Sequence, residues 1–96
     1  GPNTFVFPCL KSLPKLLVGQ YNSIAIRMSS HHIANQLCQN TPITSTSANI
    51  SGQPVVKDIN EINNIFDGLI DGVIDGKPGD LAPSKIINII TKQQYR

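Results

Sequence analysis

The sequence predicts an α/β or α+β layer structure. Strand-like and helix-like segments alternate along its 96 residues with short links between them. Three segments are rich in β-branched, apolar or aromatic residues: TFVF at 4–7, SIAIR at 23–27 and SKIINII at 84–90. Between the second and third lie two apolar stripes at helical spacing, Ile33 with Leu37, then Ile59, Ile62, Ile65 and Phe66. Apolar content of 40% permits one small domain, or part of a larger one.

Taken in order, residues 4–7 read as a strand that Pro8 ends. Residues 11–19 carry Leu13, Leu16 and Leu17 at helical spacing, with Ser12 as N-cap, Pro14 in the first turn and Gly19 as the stop, and read as one short helical turn or two. Residues 23–27 read as a buried strand that delivers Arg27 at its end. Ser29 or Ser30 caps a helix over 31–39, with Ile33 and Leu37 on its apolar side. Residues 42–45 are expected to be a strand running into the stretch STSANISG at 45–52. Asp58 and Glu61 have capping-box spacing ahead of the next helix, which Gly68 ends. Residues 69–76 read as a strand broken by Asp71-Gly72, 77–80 as a turn, and 84–90 as a strong strand. Tyr95 and Arg96 stand at the start of a further segment.

Several function classes fall away on composition. No apolar run approaches the roughly 20 residues that span a bilayer, and no basic-then-apolar leader is visible. The expectation is a cytoplasmic chain with no membrane partner. Cys9 and Cys38 lack metal-ligand spacing and read as buried or free thiols. His31 and His32 are neighbours, and neighbours within one regular element diverge, which argues against a shared metal. The first residues, Gly1-Pro2, read as those of a processed or truncated chain.

Charge is unevenly placed. Residues 1–57 hold Lys11, Lys15, Arg27 and Lys57 and no acid, whereas all six acids lie from Asp58 onward. A cationic first part suits an anionic ligand, although four charges are too sparse to argue for nucleic acid alone. No catalytic triad, phosphate-binding glycine loop or carboxylate cluster is present, so no catalytic residue and no metal ligand is assigned. What remains is a set of donors: Arg27 at a strand end, with the fork geometry that clamps a carboxylate or phosphate, and the hydroxyl and amide groups of 45–52. Small side chains there let backbone amides approach an anion. The same composition is that of a polar turn, and composition alone favours the turn.

Taken together, GPNTFVFP at 1–8, NSIAIR at 22–27, STSANISG at 45–52, APSKII at 82–87 and Tyr95-Arg96 resemble the YrdC/TsaC family, in that order and at about its spacing. The resemblance implies a twisted mixed β-sheet flanked by helices. It also implies a nucleotidyltransferase, threonylcarbamoyl-AMP synthase, that joins L-threonine, bicarbonate and ATP into threonylcarbamoyl-AMP and pyrophosphate. ATP would be a substrate, accompanied by Mg2+, and a tRNA-modifying transferase complex would use the product at adenosine 37 of tRNA.

Carried over position by position, the resemblance implies that Arg27 holds the threonine carboxylate and that Ser45 and Ser84 line the threonine side. Ser23, Ser47, Asn49, Val55 and Arg96 would contact ATP or the adenylate. The family's P-T-E-T strand and K-x-R motif have no match here. Residues 1–96 therefore read as the C-terminal portion of one YrdC-like domain whose N-terminal half is absent, and the isolated chain is expected to be inactive. Two alternatives stay open: a non-catalytic module that binds tRNA or double-stranded RNA, and a carbamoyl-transfer domain of a larger maturation protein.

Overall fold

The computed structural model describes residues 2–79 and 82–96. The chain divides into two compact units: Gly1–Pro42 with Asp80–Arg96, and Ile43–Gly79. The first holds a three-stranded mixed sheet, as the α/β reading expects. Strand β1 (Asn3–Pro8) lies in the middle, β2 (Ser23–Ile26) on one side and β3 (Lys85–Asn88) on the other. β1 and β2 are antiparallel, from Phe5↔Ile26 to Pro8↔Ser23. β1 and β3 are parallel, from Asn3↔Lys85 to Val6↔Asn88. A parallel neighbour needs a long crossover. Here the chain leaves β2, passes through helix α2 and the whole second unit, and returns as β3.

The link from β1 to β2 carries helix α1 (Lys15–Val18), which packs on β2. It is the single short turn expected within 11–19, but it starts differently. Pro14 is its N-cap, with no side-chain bond to the helix, so Ser12 is not the cap. Proline has no N–H of its own to satisfy and is pre-set for a first turn, which places the start after it. Gly19 ends the helix at φ 61°, where a side chain would be strained. Helix α2 spans His32–Leu37. Neither predicted serine is its N-cap. His31 holds that position, and its N–H donates to Ser29 Oγ at 3.2 Å.

The second unit contains helix α3 (Ile59–Ile65). Its start follows the sequence closely: the Asp58 carboxylate accepts the N–H of Asn60 at 2.8 Å and of Glu61 at 3.2 Å. Gly68, just beyond its end, has φ 71°. Two expected strands are missing. Residues 42–45 and 69–76 form no ladder, and the described part of this unit has no strand. A strand exists only with a partner edge, and local apolar content supplies none. In 69–76 the backbone turns and bends through Leu69, Ile70 and Asp71, and the rest runs without a partner strand.

The C-terminal segment is better organised than the sequence shows. β3 ends at Asn88, whose Oδ1 accepts the N–H of Ile90 and of Thr91 at 2.9 and 3.0 Å. The chain then folds back along β3. Tyr95 N–H donates to Ile86 O at 2.8 Å, and Ile86 N–H donates to Arg96 O at 3.0 Å.

Among the described residues no apolar side chain is buried. β2, expected to be a buried strand, runs from half-buried at Ser23 and Ile24 to exposed at Ala25 and Ile26. Phe5, Phe7, Ile26 and Met28, with Pro2 and Asn3, line an open cavity of about 290 Å³ on the sheet. Successive side chains of a strand alternate in face, so Thr4 and Val6 point away from Phe5 and Phe7.

Candidate functional site

The predicted residues fall into two sets. Ser23, Arg27, Ser84 and Arg96 belong to the sheet unit, and Ser45, Ser47, Asn49 and Val55 to the other.

In the sheet unit, β2 places Ser23 and Arg27 at opposite ends. Ser23 pairs with Pro8 at the far end of β1, while Arg27 follows the Phe5↔Ile26 pair. One further step in that register sets Arg27 level with Thr4. The two are four residues apart, about 13 Å along an extended chain. Such a separation suits contacts with different parts of a substrate pair rather than with one group. Arg27 is exposed, its guanidinium available to an anion.

Ser84 enters beside the same end of β1 from the other side. It precedes Lys85, whose N–H donates to Pro2 O at 2.9 Å. Ser84 is the buried polar residue among those described, only 6% exposed. Its Oγ lies 2.7 Å from Thr4 Oγ1. Arg96 Nε donates to Ser84 O at 3.1 Å, and Nη2 reaches Ser84 Oγ at 3.5 Å. The structure thus brings Ser84 and Arg96 together, with Thr4 as a third member. The sequence places Thr4 in β1 and in the GPNTFVFP segment that carries the family resemblance, but gives it no role, because its partner lies 80 positions away.

In the second unit the stretch 45–52 is irregular at 45–47, then bends at 48–49 and turns at 51–52, in line with its turn-like composition. Asn49 organises it. Its Nδ2 donates to Ile50 O at 3.0 Å and to Gln53 O at 3.1 Å. Backbone bonds from Asn49 N to Ser47 O (3.0 Å), Gln53 N to Ile50 O (2.8 Å) and Val56 N to Ala48 O (2.8 Å) complete the loop. Gly52 takes φ 80°, a conformation that disfavours side chains. Ser45, Ser47 and Val55 are exposed. Both Nδ2 hydrogens bond to carbonyls, so Oδ1 is the remaining acceptor of this amide; it is buried and has no protein partner. A cavity of about 350 Å³ in the same unit is lined by Phe66, Asp67, Gly68 and Val73 among others, and by none of the predicted site residues.

Charge separates with the units. The sheet unit holds six of the eight basic residues and one of the six acids, net +5; the other holds two and five, net −3. The cationic bias of residues 1–57 thus extends to the unit that contains the sheet, through Lys85, Lys92 and Arg96. Cys9 and Cys38 are free thiols, one half-buried and one exposed. The two histidine rings do not diverge: they stack with centroids 5.2 Å apart and planes 20° from parallel. His31 is extended and His32 opens α2, so the two do not share a regular element. Among the described residues no group of three His, Cys, Asp or Glu side chains could hold a metal, and no helix is long and apolar enough to cross a membrane.

A small α/β sheet in a unit of net +5, with Arg27, Ser84 and Arg96 at one end of β1, offers hydrogen-bond donors suited to holding an anionic ligand. All of residues 1–96 match the Sua5_yciO_yrdC family, described as "Telomere recombination", and the chain belongs to that family. It is 37% identical over 98 residues to the threonylcarbamoyl-AMP synthase of Serratia proteamaculans (strain 568), a match covering 100% of this chain and 52% of that protein. The threonylcarbamoyl-AMP synthase of Shigella boydii serotype 4 (strain Sb227) is likewise 37% identical over 98 residues. That of Escherichia coli O1:K1 / APEC is 38% identical over 99 residues, again 100% of this chain and 52% of the relative. The chain spans about half the length of the curated relatives that it matches.

Proposed function

We propose that this chain is part of a threonylcarbamoyl-AMP synthase, a nucleotidyltransferase that converts L-threonine, bicarbonate and ATP to threonylcarbamoyl-AMP and pyrophosphate. The observation that carries this reading is the match of the whole chain to proteins of that name. The geometry supports it through the donors gathered at one end of β1 and the loop shaped by Asn49.

The chemistry asks for no protein nucleophile. Bicarbonate takes up a proton and loses water to give CO2; the threonine amine adds to the CO2 carbon and releases a proton, leaving a carbamate. A carbamate oxygen then forms a bond to the α-phosphorus of ATP, and pyrophosphate leaves with the electrons of the broken P–O bond. Catalysis of such a step rests on holding the reactants in line and offsetting charge. Arg27 binds the threonine carboxylate, and Ser45 and Ser84 line the threonine. Ser23, Ser47, Asn49, Val55 and Arg96 serve the ATP and adenylate side. Asn49 also maintains the shape of its loop, through the two bonds that its amide donates. Mg2+ would arrive on the ATP phosphates, held by phosphate and water oxygens, since hard oxygen ligands suit it. The synthase would act in the cytoplasm and pass its product to a tRNA-modifying transferase complex.

The test is pyrophosphate release from ATP by the intact protein, with threonine and bicarbonate each omitted in turn. Dependence on both supports the reading, and release indifferent to threonine overturns it. The net +5 of the sheet unit favours one second reading, binding of tRNA or double-stranded RNA. Salt-sensitive RNA binding without threonine-dependent turnover would establish that reading instead.

A further inference from the structure

We infer that Thr4 is a positioning residue for the threonine subsite: its hydroxyl donates to Ser84 Oγ and turns the Ser84 proton toward the substrate. The inference deepens the proposed function and rests on Ser84 facing threonine.

The proton count leads there. Each hydroxyl has one proton and two acceptor positions, and an arginine only donates. Thr4 Oγ1 and Ser84 Oγ are 2.7 Å apart, so one of the two donates to the other. Arg96 approaches Ser84 Oγ at 3.5 Å, with its Nε anchored on Ser84 O at 3.1 Å. When Thr4 is the donor, Ser84 Oγ receives from both Thr4 and Arg96, both of its acceptor positions are taken, and its own proton is released to a ligand. When Ser84 is the donor, that proton is spent on Thr4 and none remains for the substrate. Threonine offers a carboxylate and a hydroxyl oxygen as acceptors, which match the first arrangement.

Placement agrees with this role. Thr4 sits on the central strand, with β3 pairing Ile86 opposite it and Arg27 level with it beyond the end of β2. Two strand spacings separate the Arg27 and Ser84 sides, about 10 Å. Thr4 lies between them, on the face opposite Phe5 and Phe7.

The experiment compares Thr4→Val, Thr4→Ser, Ser84→Ala and the Thr4→Val/Ser84→Ala double variant in the intact protein. It measures KM for threonine, KM for ATP, kcat and the thermal midpoint. Thr4→Val keeps the β-branched shape and removes the hydroxyl. It should raise the threonine KM about tenfold, with ATP KM and thermal midpoint little changed, while Thr4→Ser stays within about twofold. In the Ser84→Ala background Thr4→Val should add almost nothing, because the group it positions is gone. Full additivity, an equal rise in both KM values, or unfolding of Thr4→Val with a normal Thr4→Ser would overturn the inference. If Ser84→Ala itself leaves the threonine KM unchanged, the assignment of Ser84 to threonine fails first and takes the inference with it. If Ser84→Ala raises that KM while Thr4→Val does not, only the inference fails.

Discussion

Thr4 and Ser84 meet hydroxyl to hydroxyl at 2.7 Å across 80 positions of sequence. The contact exists because β1 and β3 are parallel neighbours, and parallel pairing joins segments that a long crossover keeps apart in sequence. One end of β1 thereby gathers Thr4, Ser84 and Arg96 into a bonded group, with Arg27 level with it beyond β2.

Arg27→Ala in the intact protein should raise the threonine KM by roughly 100-fold, because a charge-assisted pair to a carboxylate is among the stronger polar contacts. Arg27→Lys should recover only part of the loss, since an ammonium lacks the planar fork. Steady-state kinetics with varied threonine checks this. An unchanged KM in Arg27→Ala would remove the assignment of Arg27 to the carboxylate.

Asp58→Ala should lower stability by about 1 kcal/mol, the usual worth of an N-cap side chain. Two helix N–H groups lose their acceptor, those of Asn60 and Glu61. Urea unfolding should show a lower midpoint at constant slope, and Asp58→Asn should fall between the two. The threonine KM should not respond, because Asp58 touches no predicted site residue through these bonds.

Some of this was legible in the sequence, and the division follows range. The Asp58 cap, the stripe of α3 and the glycine stops at Gly19 and Gly68 depend on neighbours within a turn, and they were readable. The three strands were also readable, because β-branched residues concentrate in them. Residues 42–45 and 69–76 have similar composition, but no strand pairs with them among the described residues. The Thr4–Ser84 contact was invisible for the same reason in reverse: Ser84 was a site candidate and Thr4 lay in a family segment, but only the register Asn3↔Lys85 brings the two hydroxyls together. Val55 and Ser47 carry no local signal beyond the family pattern, and both are simply exposed.

Gly52→Ala should strain the 45–52 loop by about 1–2 kcal/mol, the cost of a side chain at a left-handed backbone position. Gly52 has φ 80°, and a Cβ there would meet nothing within 4 Å, so the cost is conformational and not steric. With the adenylate contacts placed on Ser47 and Asn49, ATP KM should rise several-fold while threonine KM moves less. Gly52→Asn should be milder, because asparagine tolerates positive φ. A variant with unchanged ATP binding and stability would show that the loop conformation is not needed for the nucleotide.

Residues 1–96 taken alone should be marginally stable and inactive. No apolar side chain among the described residues is buried, and Phe7, Leu17, Ile26 and Ile43 are all exposed. Burial of apolar area is the main term that offsets chain entropy, and apolar side chains that are at most half-buried, such as Phe5, Val6 and Ile87, set little against that cost. The purified chain should enhance the fluorescence of a hydrophobic dye, melt over a broad range and give no ATP–pyrophosphate exchange. A sharp two-state transition with robust exchange would contradict both the stability argument and the view that further chain is required.

Asn88→Ala tests how Arg96 is held. Asn88 closes the turn after β3: its Oδ1 accepts from Ile90 and Thr91, its backbone carbonyl accepts from Lys92 at 3.0 Å, and Lys92 takes φ 63° to make the return. Its Nδ2 reaches Tyr95 Oη at 3.3 Å. The returning segment then bonds to Ile86 from both sides and delivers Arg96 to Ser84. The two N–H groups freed by the alanine are solvent-exposed, so water replaces the lost acceptor and the stability cost stays below about 1 kcal/mol. The larger consequence is geometric. A loosened turn lets the Arg96 guanidinium leave Ser84, and a displacement of even 1 Å weakens charge-assisted contacts made at a reacting phosphate. ATP KM should rise roughly three- to tenfold with a nearly unchanged thermal midpoint. Asn88→Asp, which keeps an acceptor for Ile90 and Thr91, should restore most of it. If Asn88→Ala and Asn88→Asp behave alike and both bind ATP normally, the turn does not set the position of Arg96.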